Sequence, residues 1–383
     1  MCKLLFRLLF SLSIWFSFLA VPFAAAEDEL PSGQLNASNV MLSSVTPKII
    51  GGIDSSANEI PWQAYLNMTF PNGNGGQSTF VCGGVVISQD VVLTAAHCLR
   101  NGSDTVTTQN IKVWAGGVSL FSFSSFNAID VSEFVIHPSY NSARFANDIA
   151  ILKLATSLPS TAIPIKMTDS ATQNRVDNAF DLGWVANSER EPNLLVSGWG
   201  ATDPNNTSSG STRLRQTVLS GVPDIACDAQ WGSNMSPLDY PIFLCAGSVS
   251  PTLGRDSCFG DSGGPLVWQD PQASSDSDFG LRLVGLVSFG NGCAGILPGV
   301  YTEVANYQSW IEQEVGAAVN TQPTSIFASN PFTRDYSNAG EGLGSGGNVT
   351  PNSGDGDGGY IGGGGMLGLL VVGYWRRRII SIV

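Results

Sequence analysis

From Ile49 onward the chain is built of short apolar runs, rich in β-branched and aromatic residues, that Gly, Pro and Asn interrupt before any reaches helical length. Phe80 to Ile87, Val91 to Thr94, Ile111 to Trp114, Ile149 to Leu154, Leu194 to Val196 and Leu281 to Val287 are of this kind. Runs of this length between turn-forming residues fit strands, whereas a helix needs a sustained 3.6-residue period. Such a period is read only at Val304 to Val315, as one terminal helix. The pattern predicts an all-β fold, a sandwich or a barrel, with a single helix at its end.

The 383 residues leave room for one large or two ordinary domains. With 43% hydrophobic and 13% charged residues the chain is not one that stays unfolded. A net charge of −13 argues against nucleic acid as a partner, because phosphate binding needs a basic surface. Residues 49–316 hold 11 basic and 24 acidic side chains and so carry the whole charge, while the flanks are neutral. The flanks also differ in composition. The sequence therefore describes one folded body with processed ends, whose acidity should attract basic substrate segments in a salt-sensitive way.

The N-terminus has Lys3 and Arg7, an apolar run from Leu8 to Phe23, and Ala24-Ala25-Ala26 ahead of Glu27-Asp28-Glu29. That order predicts a secretory signal peptide over 1–26, a membrane anchor being the other reading. Cys2 leaves with it, and the six remaining cysteines meet an oxidising compartment in which pairing is favoured. Gly340 to Gly368 contains 14 glycines in 29 residues, and 317–359 is expected to be a Gly/Ser/Asn-rich linker. Residues 360–383 follow as a short hydrophobic segment ending in Arg376-Arg377-Arg378. The apolar stretch from Tyr360 to Trp375 is short of the roughly 20 residues of a full span, but its aromatic and arginine borders suit a membrane interface.

Chemistry is concentrated in three separated places. Thr94-Ala95-Ala96-His97-Cys98 puts a histidine at the end of a strand. Asn147-Asp148-Ile149-Ala150-Ile151-Leu152 puts an aspartate just before one. Gly260-Asp261-Ser262-Gly263-Gly264-Pro265 puts a serine among glycines. A serine hydroxyl needs a positioned base, the base needs a carboxylate to fix its tautomer, and glycines let backbone N–H groups approach a developing oxyanion. Only two histidines are present, and His137, in His137-Pro138-Ser139-Tyr140, reads as a loop residue.

The order His, Asp, Ser with these flanking words resembles the chymotrypsin/trypsin family of serine endopeptidases, over about 49–316. The resemblance implies two six-stranded antiparallel β-barrels with a short C-terminal helix. It makes His97 the general base and then acid, Asp148 its orienting partner, Ser262 the nucleophile of an acyl-enzyme mechanism, and the N–H groups of Gly260 and Ser262 the oxyanion hole. Lys48-Ile49-Ile50-Gly51-Gly52 looks like the family's activation junction. Cleavage after Lys48 by an activating protease, which could be the enzyme itself, would free the Ile49 ammonium to pair with Asp261, leaving 27–48 as an activation propeptide. A buried charge is costly unless paired, so the site would form only after that cut.

Six cysteines allow 15 connectivities, and spacing does not choose among them. The resemblance implies Cys82–Cys98, Cys227–Cys245 and Cys258–Cys293. Leu194 and Trp268 occupy two positions where many relatives carry a further pair, which favours a simpler, bacterial or invertebrate-like member. Asp256, six residues before Ser262, matches the base of a pocket for Lys or Arg, with Ser257, Ser288, Gly290 and Gly299 in the same substrate-binding set. The plain alternative for Asp256 is a solvated loop acid. Phe289 stands where a Trp is usual, and Cys293 to Pro298 is slightly short, departures that bear on subsites beyond P1. No cofactor is implied, and the loop after His97 has no carboxylate cluster of the kind calcium needs, so no metal is expected. The tail resembles the bacterial GlyGly-CTERM sorting signal, which implies a sorting protease as a partner. A plain C-terminal anchor is the competing reading, and a GPI-type signal is disfavoured by the arginines.

The expectation is a secreted serine endopeptidase, made as a zymogen, cleaving after Lys or Arg and retained at the cell surface through its tail. The alternatives are a catalytically weak, protease-like surface binding module and a haemolysin-like or adhesive surface factor acting through the tail.

Overall fold

The computed structural model describes residues 49–71, 76–316, 319 and 325–341. The signal and propeptide over 1–48, Lys48 included, and the tail segment 360–383 lie outside the described residues. Among the described residues no helix is long and apolar enough to cross a membrane.

Twelve strands form two closed rings. The first comprises β1 (Gln63–Pro71), β2 (Gln77–Ser88), β3 (Val91–Thr94), β4 (Ile111–Ala115), β5 (Ile129–Ile136) and β6 (Ala150–Leu154). Its strands run in the order β1-β2-β3-β6-β5-β4, with β4 pairing back onto β1. Alternation drives its closure: Ala64, Leu66, Met68 and Phe70 of β1 point inward with Val86 and Val92, while the residues between them stay partly exposed.

The second ring comprises β7 (Leu194–Gly198), β8 (Arg215–Val222), β9 (Phe243–Gly247), β10 (Pro265–Gln269), β11 (Leu281–Phe289) and β12 (Gly299–Glu303). Its order is β8-β7-β10-β11-β12-β9, and β8 pairs with β9 to close it. Ile53–Asp54 adds to β8 and Lys166–Met167 lies parallel to β11 outside the ring. Two six-stranded antiparallel barrels are therefore present. Leu194 and Trp268 are direct cross-strand partners of β7 and β10, so the pair of positions without cysteines is filled by two buried apolar side chains in register.

The helix content corrects the sequence expectation. The terminal helix begins later than predicted: α3 covers Gln308–Val315, and Ala305–Tyr307 ahead of it is a 3-10 turn. Two further helices precede it in the chain, α1 (Ser170–Gly183) and α2 (Asp224–Trp231). Asp169 caps α1 by accepting the Thr172 N–H at 2.7 Å. Only Val176 and Phe180 supply large apolar side chains to the buried face of α1, which is why its period is weak in the sequence. Phe180 lies flat over Gly221 of β8, where an added Cβ would come within 2.1 Å of the ring.

Residues 325–341, expected to be linker, pack on the body instead. Phe327, Pro331, Tyr336 and Ala339 are buried, and Phe327 meets Trp62 at a ring separation of 4.8 Å. Glycine-rich composition begins only at Gly340, so the averaged character of 317–359 hid a segment with its own apolar anchors.

Candidate active site

Strand β3 ends at Thr94, and the 3-10 turn Ala96–Leu99 then carries His97 toward the second barrel. Asp148 stands just before β6, beside Asn147, whose φ is 55°. His97 Nδ1 lies 2.7 Å from Asp148 Oδ2, and the His97 backbone N–H donates to Oδ1 at 2.9 Å. The Ser288 hydroxyl, from β11, donates to the same Oδ2 at 2.6 Å, and Thr302 Oγ1 of β12 donates to the Asp148 carbonyl at 2.9 Å. Asp148 is wholly buried, yet its carboxylate meets three donors drawn from both barrels. With Nδ1–H given to the carboxylate, Nε2 keeps its lone pair for another group.

The serine loop is folded by its own backbone. Asp261 N–H donates to the Cys258 carbonyl at 3.0 Å, Gly264 N–H to Asp261 at 2.8 Å, and Gly263 N–H to Val287 at 2.7 Å. The Ser262 carbonyl accepts from Gly83 N–H of β2 at 2.8 Å and lies 3.7 Å from Cys98 Sγ. Gly263 has φ 74°, and a Cβ there would meet Thr94 Oγ1 at 2.2 Å and Ala95 N at 2.7 Å. Glycine is thus required for the serine loop to close on the strand end leading into His97. The Phe259 carbonyl accepts from Ala201 N–H at 2.7 Å, and in a trans peptide the following N–H, that of Gly260, points the opposite way. Among the described residues neither the Gly260 nor the Ser262 N–H is given to a protein acceptor.

Asp256 lies behind this loop, buried, with Oδ2 accepting from Ala294 N–H at 2.8 Å. Its Oδ1 has no hydrogen-bond partner. A Cβ on Gly299 would stand 3.2 Å from that oxygen and 3.4 Å from the Tyr301 hydroxyl, so the absent side chain leaves the oxygen's approach open. Burial pushes the Asp256 carboxyl up to about 7. Ser257 Oγ is 3.2 Å from Tyr301 Oη, which places Ser257 beside the same wall. Gly290 directly follows Phe289 at the end of β11, and Phe289 packs edge-on against Trp231 at 5.5 Å and Phe243 at 5.4 Å.

Asp261 is fully buried, its Oδ1 accepting from Gly200 N–H at 2.8 Å and its Oδ2 from Cys258 N–H at 2.9 Å. Burial pushes its carboxyl up to about 7, and among the described residues no cation lies within ion-pair distance. Ile49 is also fully buried, among Val196, Leu219, Leu244 and Leu266 of the second barrel.

The three disulfides are Cys82–Cys98, Cys227–Cys245 and Cys258–Cys293. Cys82, His97 and Cys98 bring possible metal-ligand atoms within 4.8 Å of one another, but the two sulfurs are bonded to each other and His97 is engaged by Asp148. A disulfide offers no thiolate, so this donor set does not suit a metal ion. His137 lies past the end of β5, its ring edge-on to Tyr307 and Trp310 at 5.1 and 4.8 Å and its backbone N–H donated to the Ile149 carbonyl at 3.1 Å.

Ser288, assigned from the sequence to substrate binding, gives its hydroxyl to Asp148. Thr302, Tyr301, Gly200 and Ala294 were not singled out in the sequence, because each enters through strand register or a backbone N–H that no motif marks. Phe145 was also missed; it has φ 54° and sets its ring edge-on to His97 at 5.7 Å.

A family model described as trypsin matches residues 49–311. Trypsin alpha-4 of Lucilia cuprina is 35% identical over 71% of this chain and 89% of its own. Trypsin alpha of Drosophila melanogaster is 33% identical over 71% and 89%, and phenoloxidase-activating factor 3 of Holotrichia diomphalia is 32% identical over 70% and 72%. With two barrels, a His–Asp pair between them and a glycine-bound serine loop already in place, these matches identify the chain as a member of the trypsin family, a serine endopeptidase.

Proposed function

We propose that this endopeptidase is secreted as a zymogen, is activated by cleavage after Lys48, and hydrolyses peptide bonds after Lys or Arg. The observation that carries the specificity is Asp256 Oδ1, a buried carboxylate oxygen without a partner, opposite the open face of Gly299. An unpartnered buried acceptor is unfavourable until a donor arrives, and a substrate ammonium or guanidinium supplies both the donor and the countercharge. Ser262 attacks the scissile carbonyl, His97 Nε2 takes its proton and returns it to the leaving amine, and Asp148 holds the imidazole and stabilises the imidazolium. The N–H groups of Gly260 and Ser262 receive the oxyanion; the turn of the Phe259 carbonyl onto Ala201, which aims the Gly260 N–H the other way, supports this.

Zymogen activation rests on Asp261, buried without a cation among the described residues. The Ile49 ammonium released by cleavage gives it one, and the buried position of Ile49 agrees with that end state. Secretion rests on the pattern at residues 1–26 and on the three disulfides.

Two variants test the reading. Ser262→Ala should give a folded, cleaved protein without amidolysis of Arg-linked peptides, and unchanged turnover would remove the serine from its role. Asp256→Ser should abolish the preference for basic P1 residues while leaving reaction with a serine-directed acylating reagent; continued preference for Lys or Arg would overturn the pocket assignment.

A further inference from the structure

Residues 325–341 lie beyond the segment matched by the family, 49–311, and their contacts converge on one place. Ser325 Oγ donates to the Pro164 carbonyl at 2.6 Å and Phe327 N–H to Ser277 at 3.1 Å, which fastens the start of the segment. Arg334 Nη1 pairs with Glu59 Oε2 at 2.6 Å. The Tyr336 hydroxyl accepts from Gln216 Nε2 of β8 and donates to the Pro331 carbonyl, both at 2.9 Å.

The far end of the segment meets Arg255, whose guanidinium is buried and, among the described residues, has no carboxylate within ion-pair distance. Arg255 Nε donates to the Ala339 carbonyl at 2.8 Å and Nη2 to the Tyr336 carbonyl at 2.5 Å. Gly254 N–H donates to the Gly340 carbonyl at 3.3 Å. A buried cation is expensive, and here backbone carbonyls of the strap answer it in place of a carboxylate.

What Arg255 adjoins gives these contacts their meaning. The next residue is Asp256, and its own N–H donates to the Ile50 carbonyl at 3.2 Å. Gly51, with φ 60°, is pressed between the two: a Cβ there would lie 2.2 Å from the Gly254 carbonyl oxygen and 2.7 Å from Gly340 Cα. Thr217 Oγ1 donates to the Gly51 carbonyl at 2.8 Å from beneath. The strap formed by 325–341 therefore closes over Gly51 and, through Arg255, holds the residue that precedes the carboxylate of the pocket.

We propose that residues 325–341 are a latch that keeps the inserted Ile49–Gly52 segment and the Arg255–Asp256 stretch in register, with Arg255 as its positioning residue. The proposal rests on the activation and pocket reading given above. It makes the strap part of the working enzyme, whose competent site then depends on a segment outside the family's matched length.

The test uses the full chain after cleavage at Lys48. Arg255→Met removes the donors, Arg255→Lys keeps the charge on a single donor nitrogen, and Gly340→Val, at φ 88°, displaces the end of the strap from Gly254 and Arg255 while the guanidinium itself is retained. Three quantities are read: benzamidine affinity for the pocket, KM against kcat for an Arg-linked peptide, and the rate at which cyanate blocks the Ile49 amino group. Loss of hydrogen bonds to a charged group predicts about tenfold weaker benzamidine binding and a KM raised by a similar factor in Arg255→Met. Cyanate inactivation should quicken in both Arg255→Met and Gly340→Val, and Arg255→Lys should recover part of each effect. Unchanged benzamidine affinity and cyanate rate, with only a lower unfolding temperature, would overturn the latch and leave the strap a plain stabiliser. Wild-type enzyme that ignores benzamidine would instead overturn the Lys/Arg reading, and the cyanate rate would still decide the latch. If Gly340→Val does not fold, Arg334→Gln, which loosens the strap at Glu59, takes its place.

Discussion

At the scale of the residue, the site is a problem of satisfying buried carboxylates. Asp148 is answered by three donors, Asp261 by two backbone N–H groups, and Asp256 on one oxygen alone. That ranking fits the roles proposed for them, Asp148 as the orienting group and Asp256 as the one that awaits a ligand. Ser288→Ala removes one donor to Asp148 without opening the pocket; kcat should fall about tenfold with KM little changed, as steady-state kinetics would show. Asp256 makes a second prediction through pH. Its folded-state carboxyl titrates near 7, so below that it is neutral and draws a guanidinium weakly, and above it the anion forms. Benzamidine affinity should therefore strengthen as pH rises through about 7, with a proton released on binding; calorimetry in two buffers would measure it. A flat profile would mean that Asp256 does not face the ligand. The sequence marked Asp256 through the resemblance, which matches its place six residues before Ser262 to the pocket base, but did not show that Oδ1 has no partner while Ala294, 38 residues away, serves Oδ2.

At the scale of the element, glycines and disulfides fix loops that strands alone would leave loose. Gly263 lets the serine loop touch Thr94, and Cys258–Cys293 ties that loop to the segment whose Ala294 N–H holds Asp256. The bridge joins residues 35 apart. Replacing both cysteines by serine should cost about 4 kcal/mol on the chain-entropy account, seen as a lower unfolding midpoint. KM for Arg-linked peptides should rise more than kcat falls, because the pocket is nearer the bridge than the acid–base pair is. An equal loss in both would place the bridge's influence on catalysis instead. Six of the twelve barrel strands were named in the sequence, Val91–Thr94 to the residue, because β-branched composition and turn residues act locally. Helix α1 was not, since its stability comes from Val176 and Phe180 meeting β8 more than from its own period.

At the scale of the whole molecule, activation should change how stability depends on pH. In the single chain Asp261 is buried without a cation among the described residues, and its carboxyl is raised to about 7. A raised carboxyl holds its proton more tightly when folded than when unfolded. Folding is therefore favoured at low pH, and stability is lost as pH climbs from the ordinary carboxylate range through about 7. On the proposed activation, cleavage after Lys48 would supply an ammonium that lowers that carboxyl and removes this loss. Thermal unfolding of the Ser262→Ala protein, before and after cleavage, should show a downward trend between pH 5 and 7 that is weaker in the cleaved form. The same trend in both would mean that Ile49 does not reach Asp261. Asp256 and Glu303, raised to about 7 and about 9, add a common background that the comparison cancels.

The sequence by itself determined an all-β pattern with half of its barrel strands, the serine loop's glycines, the three chemical words and, through family resemblance, the barrels and the cysteine pairing. These follow from local stereochemistry and from motifs whose spacing survives in one dimension. Only the tertiary structure decided that Ser288 and Thr302 brace Asp148, that one oxygen of Asp256 is left without a partner, and that residues 325–341 close over Gly51. Each is a meeting of segments more than a hundred residues apart, or a hydrogen bond not made, and burial makes such details matter while no local pattern records them.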